Sequence, residues 1–149
     1  MASNPTKSEQ STLLKTAHSV LDAYDTWDID TILAPRAPNC TIQVIPTRLG
    51  RPTLTNAEYR DHFNKSFKDH FKGFHLEVLD TVEDPAAHKV VFHAMSTAET
   101  AIGKYQNEYS LFLQMSDDDT QLVSIKEFVD SGYGQEFFAK LKAHLAGGS

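Results

Sequence analysis

The sequence predicts an α+β domain, a curved antiparallel sheet with helices on one face, and three observations carry that expectation. From Tyr105 to Ser131 the chain alternates apolar and polar residues on both sides of an acidic turn, the period of two that marks half-buried strands. The first half instead repeats its apolar positions every three or four residues behind Thr-x-x-Glu capping signals. The element order is three helices interleaved with one strand, then a meander of four strands, then a last helix, which gathers the helices against one side of the sheet.

Taken in order, Thr6 and Glu9 have the spacing of a capping box, and Leu13, Ala17, Val20, Leu21 and Tyr24 then share one helical face. Asp28 caps a short helix, Ile29 to Leu33, that Pro35 and Pro38 stop. Cys40 to Ile45 is a β-branched strand ended by Pro46, and Gly50 to Pro52 turns the chain. Thr55 and Glu58 form a second capping box; the helix behind it carries Tyr59, Phe63, Phe67 and Phe71 in one stripe, with Gly73 as its stop. Phe74, Leu76, Val78 and Val82 alternate along a strand that turns near Asp84-Pro85 into another, His88 to Thr100. In that strand Val91, His93 and Met95 compete with Val90, Phe92 and Ala94, so the alternation leaves open which set faces inward. The hairpin follows Gly103, and a short helix with Phe137, Phe138, Leu141 and Leu145 follows Gly132 and Gly134.

In the hairpin, Tyr105, Asn107, Tyr109, Leu111, Leu113 and Met115 share a face, as do Val123, Ile125, Glu127 and Val129. A loop from Ser116 to Thr120 most simply pairs Leu113 with Val123, Leu111 with Ile125 and Tyr109 with Glu127; a slip of two makes Tyr109 and Glu127 diagonal neighbours instead. Either way a carboxylate sits on the face the apolar residues bury.

The totals narrow the function classes. At 149 residues the chain makes a single domain, 1–149, with residues 1–6 and 147–149 expected to fray. A net charge of −6 argues against nucleic-acid binding, which needs a clustered basic footprint. The single cysteine, Cys40, excludes an internal disulfide, and no Cys/His spacing suggests a metal site. With no long apolar run and a polar start, the chain reads as soluble and cytoplasmic, not membrane-bound.

A curved sheet closed by helices makes a cone, and polar groups on its inner face are the candidates for chemistry. Glu127 is either a strand-end carboxylate that reaches solvent or pairs with Lys104 or Lys126, or a buried acid whose raised pKa suits proton transfer near neutrality. Tyr105, Asn107 and Tyr109 beside it are more polar than packing alone requires, although each tyrosine could be ordinary core. Arg36, between Pro35 and Pro38, is either a surface residue or a permanently charged donor at the mouth of the cone. His75 and His93 each face the cone in one register, and Trp27, Phe63 and Phe67 either form core or wall an apolar ligand. The run Asp117-Asp118-Asp119 lacks the ligand pattern of a calcium loop, and Cys40 has no base beside it.

The order of elements and the words APRAPNC (34–40), IPTRLG (45–50), TLTNAEY (53–59), GKYQNEY (103–109) and EFVDS (127–131) resemble the SnoaL-like proteins of the nuclear transport factor 2-like superfamily. More narrowly they resemble the small fungal enzymes of secondary metabolism, semipinacolase-like isomerases and cyclases, over nearly the whole chain. The resemblance implies a cone-shaped α+β barrel, a homodimer joined through the outer sheet face, no required cofactor, and Arg36, Tyr105, Tyr109 and Glu127 as the catalytic positions. The DDDTQ turn lacks the glycine common in that hairpin, and the aspartate–histidine pair of the bacterial aldol cyclases has no counterpart here.

The resulting expectation is a cofactor-free isomerase or cyclase acting on a small hydrophobic natural-product intermediate of the polyketide, meroterpenoid or alkaloid kind. Arg36 and Glu127 form its acid–base pair, Tyr105 and Tyr109 orient the substrate, and Asn107, His75, His93, Trp27, Phe63 and Phe67 contact it. A dehydratase or double-bond isomerase, and a ligand-binding or dimerisation module without catalysis, are the alternatives.

Overall fold

The computed structural model describes residues 10–147. The expected Thr6–Glu9 box lies outside them. Helix α1, Thr12–Asp22, is capped by Ser11, whose hydroxyl accepts from Leu14 N at 3.1 Å. A 3-10 turn, Ala23–Thr26, leads to Trp27 in the left-handed region at φ 49° and then to α2, Ile29–Leu33, where Asp28 accepts from Thr31 N as the sequence suggested. Strand β1 spans Arg36–Ile45, four residues more than expected at its start, and β2 is the short Leu54–Thr55. Helix α3, Asn56–Ser66, opens on the predicted Thr55–Glu58 capping box.

The remaining elements are strands β3 (Lys72–Asp84), β4 (Lys89–Thr100), β5 (Gly103–Met115) and β6 (Leu122–Val129), then helix α4 (Ser131–Gly147). Two expected boundaries change. Helix α3 stops at Ser66, so Phe67 and Phe71 lie beyond it, and Gly73 serves not as its stop but at φ 63° near the start of β3. Helix α4 runs for 17 residues and begins before Gly132 and Gly134 instead of after them; Gly147 belongs to it, and only 148–149 of the expected frayed end lie outside the described residues.

The six strands form one open, curved sheet in the order β2-β1-β6-β5-β4-β3. The meander from β3 to β6 is antiparallel, but β1 lies parallel to β6, so the sheet is mixed where the sequence suggested antiparallel throughout. On its inner face Leu13, Ala17, Val20 and Leu21 of α1 pack with Val90, Phe92 and Ala94 of β4 and Leu111 and Leu113 of β5. Beyond them, Phe137 and Leu141 of α4 pack with Phe71, Ala98 and Tyr105 in a second cluster. The sheet's inner face therefore lies between α1 and α3 on one side and α4 at its far end, which is where a cavity can form. No described helix is long and apolar enough to cross a membrane.

The register across the hairpin is the slipped one. Leu113 pairs with Ile125, Leu111 with Glu127 and Tyr109 with Val129, while Met115 pairs with Leu122. Two single-residue changes add up to it: the turn takes in Gln121 as well, so Met115 pairs with Leu122, and an irregularity between Gln114 and Met115 leaves Val123 as an extra residue in β6, so Leu122 is buried while Val123 is only half-buried. Glu127 thus sits directly opposite Leu111 and diagonal to Tyr109. On β4 the open question resolves: Phe92 is fully buried and His93 points to the outer face.

Candidate active site

Two adjacent spaces lie inside the cone. The larger, about 1020 Å³, is bounded by α3, α4 and the inner faces of β1, β5 and β6; a small chamber of about 80 Å³ lies deeper, among Leu21, Trp27, Phe74, Leu76, Leu111 and Ile125. Tyr59, Phe67, Tyr109 and Glu127 line both, so these four form the partition between them.

The carboxyl of Glu127 has no hydrogen-bond partner among the described residues and keeps partial exposure, which opens into the cavity. Burial raises its pKa to about 7, opposed by the positive charge of Arg36. Near neutrality this acid exists in both forms, so it can give a proton and take one back.

Arg36 occupies a different place from the one expected. It is buried, lines neither space, and makes no ion pair with Glu127 among the described residues. Its Nη2 instead donates to the hydroxyl of Tyr24 at 2.8 Å, that hydroxyl lies 3.2 Å from the hydroxyl of Tyr59, and the guanidinium stacks 4.8 Å from the Tyr59 ring centroid. Its Nε is buried without a hydrogen-bond partner among the described residues. The arginine acts behind two phenols, both of which line the small chamber. An arginine can only donate, so the oxygen of Tyr24 accepts and its own proton is free to reach Tyr59.

On β5 the hydroxyl of Tyr105 accepts from Asn107 Nδ2 at 2.9 Å, and the hydroxyl of Tyr109 lies 2.9 Å from that of Ser96, a fully buried serine on β4. Burial raises the pKa of Tyr24, Tyr59, Tyr105 and Tyr109, so all four phenols stay protonated at neutral pH and can donate. Tyr105, Asn107, Tyr109 and Glu127 share the large cavity.

Of the other expected contacts, His75, His93 and Phe63 line neither space. His93 Nε2 meets Glu108 Oε2 at 2.6 Å on the outer face, because the β4 pleat turns Phe92 inward. His75 lies on the exposed face of β3 and its Nδ1 meets Asp25 at 2.7 Å. Phe63 is core, its ring centroid 4.8 Å from that of Trp27. Trp27 walls only the small chamber, whereas Phe67 walls both. Cys40 is buried and its thiol pKa is pushed up by that burial, which leaves no reactive thiolate. Among the described residues no three His, Cys, Asp or Glu side chains gather as a metal-ligand set.

Three site residues escaped the sequence reading. Tyr24 and Tyr59 sit at helical core spacing, where a tyrosine is indistinguishable from packing; their signal was the polar tip each carries on an otherwise apolar stripe. Ser96 was a hydroxyl in the middle of the Phe92 face of β4, between Ala94 and Ala98.

No protein-family model matches the chain. It is 30% identical over 145 residues to the austinoid biosynthesis cluster protein H of Aspergillus calidoustus, covering 95% of this chain and 97% of that one. The structure of the pinacolase BvnE from Penicillium brevicompactum superposes with a TM-score of 0.84 at 32% identity, covering 91% of this chain and 96% of that one. A SnoaL-like protein from Shewanella denitrificans OS-217 shares the fold alone, with a TM-score of 0.71 at 8% identity over 85% of this chain and 96% of that one. At this likeness over nearly the full length of its fungal relatives, the chain belongs to the family of the austinoid biosynthesis cluster proteins of fungal secondary metabolism, and its fold is that of the SnoaL-like, nuclear transport factor 2-like proteins.

Proposed function

We propose that the protein is an isomerase or cyclase that rearranges a hydrophobic intermediate of natural-product biosynthesis by acid–base catalysis, without a cofactor. The observation that carries this reading is Glu127: an unpartnered carboxyl at the junction of two apolar chambers, held by burial at a pKa of about 7. A role in such a pathway is supported by the likeness to an austinoid cluster protein and to a pinacolase.

The substrate's reacting oxygen, an epoxide or a hydroxyl beside an imine or carbonyl, sits at the partition. For an epoxide, protonated Glu127 gives its proton to the oxygen as the carbon–oxygen bond breaks, and the neighbouring carbon gains cation character. A group on the adjacent hydroxyl-bearing carbon shifts with its electron pair. That hydroxyl then loses its proton to the Glu127 carboxylate, so the product is an isomer and the acid is restored. Tyr59 and Tyr109 donate hydrogen bonds to the developing oxyanion, with Arg36 polarising Tyr59 through Tyr24. Tyr105 and Asn107 orient the substrate, and Trp27 and Phe67 exclude the water that would otherwise trap the cation.

The test is to express the chain with the neighbouring pathway enzymes, as wild type and as Glu127→Gln, and compare product masses and skeletons. An isomer of unchanged mass made only by the wild type supports the reading. The same product from both variants overturns it, a product lighter by one water points to a dehydratase, and tight binding with no product points to a binding module.

A homodimer joined through the outer sheet face belongs to the same proposal. It is supported by Leu79, Val82, Phe112 and Phe128, large apolar side chains exposed on the strands of the meander. Sedimentation of a single species at monomer mass over a wide concentration range would count against it.

A further inference from the structure

The mouth of the large cavity is charged opposite to the protein as a whole. The chain has 14 Lys and Arg against 20 Asp and Glu, yet among the described residues the large cavity is lined by Arg51, Lys65 and Lys142 and by a single acid, Glu127, which lies at the inner partition. His62 and His70 add two imidazole rings to the same wall. The three cations come from separate parts of the fold: Arg51 from the segment between β1 and β2, Lys65 from the last turn of α3, and Lys142 from α4. All three are exposed, and none takes part in the ion pairs formed among the described residues. Arg51 is close enough to His62 that its charge adds to burial in lowering the histidine's pKa, so the rim groups face a shared space.

Helix geometry explains one of these cations and not the others. Lys65 complements the negative end of α3. Arg51 lies in no helix, and Lys142 stands in the body of α4. A rim that needed only solubility would mix signs, as the rest of this surface does; here an acidic protein keeps its carboxylates off the opening. The charges also cannot serve the chemistry directly, because the partition residues and not the rim surround Glu127.

We propose that this rim is an anion subsite, so that the substrate is an amphiphile: an apolar skeleton whose reacting oxygen reaches the partition and whose anionic group, a carboxylate or the phosphate of a carrier-bound thioester, stays at the mouth beside Arg51, Lys65 and Lys142. The inference rests on the reading of the cavity as a substrate site but not on the catalytic role of Glu127. Substrates of equal skeleton are sorted by the presence of the anion, and the rim fixes which end enters first.

The test uses a fluorescent amphiphile, 11-(dansylamino)undecanoic acid, and its methyl ester, which removes the charge at nearly constant shape. The acid binds the wild type more tightly than the ester by roughly tenfold at low ionic strength, and the preference shrinks in high salt as exposed charges are screened. The triple variant Arg51→Ala, Lys65→Ala, Lys142→Ala binds acid and ester alike, while the charge-preserving Arg51→Lys, Lys65→Arg, Lys142→Arg keeps the preference. Competition by decanoate against decanoyl-coenzyme A then tells a ligand's own carboxylate from a carrier's phosphates. Equal binding of acid and ester by the wild type, binding of neither, or a preference unchanged in the alanine variant overturns the proposal. Because the readout is binding, its failure leaves the Glu127 chemistry standing, and an active Glu127→Gln leaves the rim standing.

Discussion

Two glutamates in one hairpin, Glu108 on β5 and Glu127 on β6, have the same side chain and opposite circumstances. Glu108 points outward, about half exposed, with its carboxylate 2.6 Å from His93. Glu127 points inward, has no partner among the described residues, and is held at a pKa of about 7. The pleat alone separates them, since successive residues on a strand alternate faces. The difference between them is the surroundings: one carboxylate has a histidine ring nitrogen and solvent beside it, whereas the other faces the cavity without a hydrogen-bond partner among the described residues, and burial raises its pKa. Arg36, placed behind Tyr24 and Tyr59 and not against Glu127, fits the same logic, because a direct ion pair would lower the pKa that proton transfer needs.

The sharpest way to break the comparison is to neutralise each glutamate in turn. Glu127→Gln lowers turnover on the pathway intermediate by about a hundredfold or more, the scale of a lost general acid–base group, while the fold persists. Arg36→Leu removes the donor to Tyr24 and lowers turnover by at least about tenfold, measured in the same single-substrate assay.

A smaller effect appears in stability. Burial raises the Glu127 pKa above its ordinary 4.5, so the folded protein holds a proton that the unfolded chain has already lost between 4.5 and about 7. The stability contributed by the neutral carboxyl is fully present below 4.5 and is lost as pH rises toward 7. Urea unfolding will therefore show Glu127→Gln gaining on the wild type between about pH 5 and about pH 8, by no more than about 3 kcal/mol. The least effect belongs to the outer glutamate: Glu108→Gln changes turnover by less than about twofold, since its carboxylate lines neither space inside the cone and a variant there removes only an exposed contact.

Much of this contrast was legible in the chain. The period of two put Tyr105, Asn107, Tyr109 and Glu127 on one face, and nothing in the structure moved them off it. What alternation could not supply was anything set by three-dimensional placement. A turn longer by one residue and the β6 irregularity at Val123 together shifted the pairing by two, a change invisible in a pattern whose period is two. His93 and Phe92 had equal claims on the inner face because both faces of β4 carry apolar residues, and burial against α1 decided between them. Tyr24 and Tyr59 hid within helical apolar stripes, so the phenols that stand between Arg36 and the cavity were read as packing. Arg36 itself was singled out but placed wrongly, because β1 begins at Arg36 and carries its side chain against Tyr59 and not to the mouth of the cone.

The central claim is that burial keeps the Glu127 carboxyl protonatable at neutral pH, and it needs no substrate to test. In a carboxyl-carbon NMR titration of the wild-type protein, with Glu127→Gln used to identify the resonance, the account predicts a midpoint for Glu127 near 7. A midpoint at the ordinary 4.5 would contradict it, leaving Glu127 a permanently ionised residue unable to supply the proton on which the rearrangement depends.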